Sequence, residues 1–304
     1  MHVRRLLVSL ALAGPLAALT LGPSAAATSV VADAGTDAAA GSHAVLPQQT
    51  HFDLQAHRGG IGMTTEESLE GFAKAMRLGV TTLELDTQVT KDEKVVVNHD
   101  RQVSAQKCRD TAPVTAGDRM YPYVGKYIKD LTLAQIRTMD CGYQQLPGFP
   151  EQERVPGFRM VELADVLNLV TSFRAKQVTL NIETKVEAGA SPWLGGVDAD
   201  DFGGDLVATA AAAVPGLTAL SPNYGFPQNG TVSDPGFRFY PDRAMVDAAH
   251  ARGLEVIPWT CDDPATVRAL MDLGVDGVIT DYPNRVRQVM ADRGMRLPKA
   301  YAPR

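Results

Sequence analysis

The run Ala56-His57-Arg58-Gly59-Gly60 sets a titratable ring, a permanent cation and two residues without Cβ atoms at the end of the stretch Phe52 to Ala56. Imidazole exchanges protons near neutral pH, a guanidinium fork matches phosphate oxygens, and glycine lets backbone N–H groups approach an anion. Further along, "LELD" holds Glu84 and Asp86, "NHD" holds His99 and Asp100, and "NIETK" holds Glu183 and Lys185. Side chains alternate along a strand, so Glu84 and Asp86 share one face with Leu85 on the other, and Asn181, Glu183 and Lys185 likewise share a face. Three carboxylates brought together repel unless a cation neutralises them, and all-oxygen ligation by Glu84, Asp86 and Glu183 suits Ca²⁺ or Mg²⁺ rather than Zn²⁺. Beside such an ion, His57 and His99 fit a general acid and base, and Arg58 with Lys185 completes a site for a phosphate ester. Taken singly, each acid is better read as an ion-pair partner and each histidine as structural. A set distributed over strand ends is not.

Strands and helices must carry these groups to one place. "TTLELD" (81–86), "KVVVN" (94–98), "QVTLNIE" (177–183), "LTALS" (217–221), "LEVIPW" (254–259) and "DGVIT" (276–280) read as strands, as does the segment before His57. Between them lie helices. Thr64 with Glu67 reads as a capping box, Leu69, Phe72, Ala73 and Met76 form an apolar stripe, and Gly79 ends the helix. Asp263-Pro264 opens another, with Val267, Leu270 and Met271 inward and Gly274 at its end, and Leu163, Val166, Leu167 and Val170 form a third stripe. This alternation predicts an α/β domain, a (β/α)8 TIM-type barrel whose site lies at the C-terminal strand ends. On this reading His57 and Arg58 follow the first wall strand, His99 and Asp100 the third, Trp259 follows "VIP" and Asp281 follows "VIT".

The 304 residues, 45% apolar and 21% charged, have the composition of a globular protein. Residues 1–27 pair Arg4 and Arg5 with an apolar run broken by Gly14 and Pro15 and an A-x-A pattern near Ala25, which predicts a cleaved export signal and a secreted protein without a stable membrane anchor. Residues 28–50, rich in small and polar types, predict a flexible lead-in; 51–292 form the barrel domain and 293–304 a tail. Loss of Arg4 and Arg5 without any acid takes the formal charge from −6 to −8, which argues against nucleic acid as a partner. In an oxidising compartment Cys108 and Cys141 are the candidates for a disulfide, with Cys261 a buried free thiol; three unpaired cysteines are the alternative.

The run from His57 to Asp100 resembles the glycerophosphodiester phosphodiesterases, whose pattern is H-R-G, then P-E-N-T, then E-x-D, then H-D. "NIETK", "IPWT" and "GVDGVITDYP" resemble the later blocks of that family, in order. The resemblance implies that Glu84, Asp86 and Glu183 hold a divalent metal, usually Ca²⁺ and sometimes Mg²⁺, that His57 and His99 are the acid/base pair, and that Arg58 and Lys185 contact phosphate. Trp259 would pack on a glycerol moiety, or else in the barrel core. Glu66, matching the acid of P-E-N-T, would brace Arg58 or lie near the metal, or else favour a helix dipole; Glu67, standing where the family has Asn, would serve as a cap. The implied reaction is hydrolysis of a small-molecule glycerophosphodiester to glycerol 3-phosphate and an alcohol.

After Lys185 the sequence departs from that pattern. The family's Q-S-F strand and the one after it are missing, and seven candidate strands stand where a closed barrel needs eight. Either "LTALS" and a further strand close the barrel in a distorted way, or the barrel is open, with its site clustered and the opposite wall irregular. The competing readings are a phospholipid- or sphingomyelin-cleaving phosphodiesterase, a two-acid glycoside hydrolase that would leave both histidines idle, and a ligand-binding relative without turnover.

Overall fold

The structure is a computed structural model that describes residues 8–9, 51–185, 206–213 and 216–303. In chain order the strands are β1 (Val8–Ser9), β2 (Asp53–Ala56), β3 (Thr82–Val89), β4 (Val95–Val97), β5 (Thr179–Thr184), β6 (Ala219–Ser221), β7 (Gly225–Phe226), β8 (Arg238–Phe239), β9 (Glu255–Val256) and β10 (Gly277–Thr280). The helices are α1 (Leu69–Leu78), α2 (Leu133–Ile136), α3 (Leu163–Ser172), α4 (Leu206–Ala213), α5 (Arg243–His250), α6 (Pro264–Leu273) and α7 (Pro283–Asp292).

Six strands form a curved parallel wall in the order β6, β9, β10, β2, β3, β5. β2 pairs with both β10 and β3, β5 pairs with β3, and β6 pairs with β9. Backbone bonds from Asp276 N–H to Val256 O and from Ile279 N–H to Pro258 O join the β9 segment to β10. Among the described residues no strand lies between β5 and β6, so six parallel wall strands are described where a closed barrel has eight, and the interval adjoins β5, the strand that carries Glu183. The stretch Val186 to Asp205 falls outside the described residues. Val8 and Ser9, inside the expected export signal, run parallel to β6.

The expectation that "KVVVN" is the third wall strand is wrong. β4 lies antiparallel to β3, with Thr87 opposite Val97 and Val89 opposite Val95. The connection over residues 90–94 is a tight turn, closed by Thr90 N–H to Lys94 O at 2.9 Å, and a parallel crossover needs a dozen residues or more. His99 therefore reaches the site at the end of a hairpin arm. Beyond it, residues 101–160 build a second small core in which Val103, Tyr123, Ile128, Leu131, Ile136, Met139 and Met160 pack with Val96 of β4 around the Cys108–Cys141 disulfide. Cys261 is free and buried.

The helices pack on the outside of the wall. Phe72, Ala73, Ala75 and Met76 of α1 and Val267, Leu270 and Met271 of α6 are buried, and Gly79 and Gly274 terminate those helices at φ of 89° and 90°. On α3 only Val166 is fully buried, and Leu169 takes the place against the core expected of Leu167. The segment after α7 is fastened to the domain by Tyr301 N–H donating to Met76 O at 2.9 Å. The glycine-, proline- and aromatic-rich stretches "YGFPQNG" and "SDPGFRFY" contribute β7 and β8, which pair antiparallel. No helix of the described residues is long and apolar enough to cross a membrane.

Candidate active site

Alternation along β3 sends Leu85 into the core and Glu84 and Asp86 to the other face, both buried. The parallel register sets Asp86 beside Glu183 of β5. One carboxylate oxygen from each of Glu84, Asp86 and Glu183 lies within 4.8 Å of the others. Burial and the charge of Asp86 push the Glu84 carboxyl up to about 7. Asp86 goes the other way: burial opposes ionisation, but Lys185, Arg58 and His99 hold it below the usual carboxylate range. Lys185 Nζ lies 2.8 Å from Asp86 and 2.6 Å from Glu183. A buried carboxyl held partly neutral by its neighbours, in an all-oxygen set of three, fits a hard divalent cation.

The turn after β2 delivers the cations and the first histidine. Arg58 sits at φ 50°, and its N–H donates to Glu84 Oε2 at 2.7 Å. Its Nη1 donates to Glu66 at 2.9 Å, and its Nε lies 3.4 Å from Asp86. His57 Nδ1 pairs with Asp281 Oδ1, at the end of β10. Although burial opposes it, the Asp281 charge and hydrogen bond, with Glu84 beyond, raise the imidazole above its ordinary value of 6.5. Asp281 is itself held by Asp262, which accepts the Asp281 N–H at 2.8 Å and the Thr280 hydroxyl at 2.9 Å. Burial and the Asp281 charge push Asp262 up to about 6. On the hairpin arm, His99 Nδ1 pairs with Asp100 Oδ1 at 2.9 Å. Burial opposes ionisation of Asp100, yet the His99 hydrogen bond and the Lys107 charge hold it well below the usual range. Among the described residues neither imidazole Nε2 has a protein hydrogen bond.

The structure therefore brings together His57, Arg58, Glu66, Glu84, Asp86, His99, Glu183 and Lys185. Of the readings open for Glu66, the brace on Arg58 is the one observed; α1 begins only after Ser68, so the dipole reading fails. The capping role expected of Glu67 also fails. Ser68 caps α1 by accepting the Gly71 N–H at 3.0 Å, while Glu67, at φ 57°, turns its carboxylate inward to accept N–H groups from Asp86 at 3.1 Å and His99 at 3.0 Å. Burial and the charges of Asp86 and Glu66 raise Glu67 well above the usual carboxylate range. Trp259 is half-buried, packing against Ala219, Ile257 and Ile279 while its Nε1–H donates to Ser221 O at 2.9 Å. Sequence reasoning left Asp281 without a role and passed over Lys107, which reaches Glu66 and Asp100 at 2.8 Å each. The only sequence signal for Lys107 was its place beside Cys108.

Residues 57–202 and 205–285 match the profile of the glycerophosphoryl diester phosphodiesterase family. The glycerophosphodiester phosphodiesterase of Caldanaerobacter subterraneus subsp. tengcongensis is 25% identical over 261 residues, covering 79% of this chain and 98% of its own. A Silicibacter pomeroyi structure that carries the same family name superposes with a TM-score of 0.59 at 24% identity, over 81% of this chain and 95% of that one. An Oleispira antarctica phosphodiesterase, solved with the product sn-glycerol-3-phosphate, superposes with a TM-score of 0.50 at 18% identity, over 78% of this chain and 96% of that one.

Proposed function

Because this chain belongs to the glycerophosphoryl diester phosphodiesterase family, we propose that it hydrolyses small glycerophosphodiesters to glycerol 3-phosphate and an alcohol, with His57 and His99 transferring the protons. What supports this reading is the paired arrangement of the two imidazoles, each tied through Nδ1 to a carboxylate and each close enough to the acidic triad to feel its charge, His57 with Glu84 and His99 with Asp86. Arg58 and Lys185 hold the phosphate oxygens in place of part of their present carboxylate contacts. His99, held through Nδ1 by Asp100, takes the proton from the nucleophile, either water or the glycerol 2-hydroxyl, at Nε2. His57, held protonated by Asp281, gives its Nε2 proton to the alkoxide as the bond from phosphorus to the leaving oxygen breaks. Glu84, Asp86 and Glu183 would hold Ca²⁺, with Mg²⁺ as the substitute, and the ion supplies Lewis-acid stabilisation of charge on the phosphoryl oxygens.

We place this activity outside the cytoplasm, after cleavage near Ala25; the Cys108–Cys141 disulfide supports an oxidising compartment. Cleavage there also removes Val8–Ser9 from the outer edge of β6. The test is release of glycerol 3-phosphate from glycerophosphocholine by residues 28–304, with and without EDTA. His57→Ala and His99→Ala are each expected to lower kcat by about 10²- to 10⁴-fold, and EDTA to abolish turnover. Full activity in either variant refutes the mechanism, and release from intact phospholipid or sphingomyelin instead of glycerophosphocholine refutes the substrate class.

A further inference from the structure

The geometry points to Lys107 as a positioning residue that locks the phosphate-facing Arg58 and the proton-transferring His99 into one assembly. The inference rests on the reading of the site given above. From Arg58 Nη1 the contacts run to Glu66 Oε2 at 2.9 Å, and from Glu66 Oε1 to Lys107 Nζ at 2.8 Å. They continue from Lys107 Nζ to Asp100 Oδ2 at 2.8 Å, and from Asp100 Oδ1 to His99 Nδ1 at 2.9 Å. Each carboxylate gives one oxygen to Lys107 and the other to the group that meets substrate. Neither can turn without breaking a contact on both sides.

The two ends of this chain come from different parts of the fold. Glu66 precedes α1, whereas Asp100 ends the hairpin arm, and Lys107 is the side chain that spans them. An ammonium suits the task because it is a compact charge with three donors that can serve two carboxylates at once. Exposed ion pairs contribute little, but at the Glu66 end the Lys107 side chain is 18% exposed and Glu66 8%, while Asp100 at the other end is 31% exposed. Low local dielectric strengthens a connected network of this sort.

The backbone at Lys107 is fixed independently of these contacts. Lys107 and Cys108 N–H both donate to Ser104 O, at 3.1 and 2.8 Å. Cys108 is bridged to Cys141, and Arg109 and Asp140 exchange backbone hydrogen bonds of 2.9 and 3.0 Å. The small second core thus has a use beyond covering the hairpin arm: it delivers one ammonium group to a gap between two carboxylates.

Two measurements on residues 28–304 test this. The first is kinetics on glycerophosphocholine for Lys107→Met and Lys107→Arg. The second is the imidazole nitrogen spectrum of His99 at one fixed pH, which reports whether a single tautomer is held. Lys107→Met is expected to lower kcat about tenfold or more, with KM changed less than about threefold, and to replace the single Nδ1–H tautomer of His99 by a mixture. Lys107→Arg, which keeps the charge and two donors, is expected to restore most of both. A Lys107→Met protein with an unaltered His99 spectrum and kcat within about twofold of the parent overturns the inference. Should Lys107→Met fail to fold, Lys107→Gln takes its place with the same expected and overturning results. Absence of turnover by the parent protein refutes the proposed function, and the His99 spectra then decide the role of Lys107 alone.

Discussion

Glu84→Gln isolates the electrostatic strain built into the acidic cluster. Burial and the neighbouring Asp86 charge raise Glu84 from an ordinary value of 4.5 to about 7. A carboxyl whose folded pKa lies above its unfolded one binds more protons in the folded chain. Its contribution is therefore fully present below about pH 4.5 and is lost as pH rises through about 7. The rise corresponds to on the order of 3 kcal/mol, which in a domain of this size is roughly 6 to 12 °C in Tm. Glutamine keeps an oxygen for the Arg58 N–H and carries no charge at any pH. Calorimetry in EDTA at pH 5, 6, 7 and 8 should show the parent losing about this much stability relative to Glu84→Gln. His57, also raised, loses stability in the same direction in both proteins, by less in Glu84→Gln because the Glu84 charge is one of those that raise it. At pH 8, Ca²⁺ at about a hundred times its Kd should return about 2.7 kcal/mol to the parent and much less to Glu84→Gln. Equal losses from pH 5 to pH 8 in the two proteins would refute the reasoning.

Two further outcomes follow from the site. Asp281→Asn removes the charge that raises His57, so the alkaline limb of the kcat/KM profile should move to lower pH and kcat should fall by about tenfold or more; an unmoved limb means that His57 is not the acid. Replacing Cys108 and Cys141 together by serine opens a closure spanning 33 positions, and denaturant unfolding should show a loss of about 3 to 4 kcal/mol, with the second core exchanging its amide protons ahead of the wall.

Much of the site was legible because strands have a period of two. Parity alone put Glu84 with Asp86 and Asn181 with Glu183, and the register of β3 with β5 brought the two sets together. The helix ends at Gly79 and Gly274 were equally legible, since glycine adopts at little cost the left-handed backbone that ends each helix. Glu67 was misread for a physical reason. Ser/Thr-x-x-Glu describes a cap only when the intervening residues are helical, and here a positive φ at Glu67 turns its side chain toward Asp86 and His99 instead. Sequence spacing carries no sign of φ.

By itself, the sequence determined the face shared by Glu84 and Asp86, that shared by Asn181, Glu183 and Lys185, and the place of His57 at the end of β2, because all of these depend on residue type and local periodicity. Only the tertiary structure decided that the third expected wall strand is a hairpin arm. It likewise decided that Asp281 and Asp100 orient the histidines and that Lys107 joins the arm to the turn before α1. Apart from the neighbouring pair His99 and Asp100, those contacts join residues as far as 224 positions apart, for example His57 with Asp281, and they exist only once the wall has set the ends of β2, β3, β5 and β10 around one point.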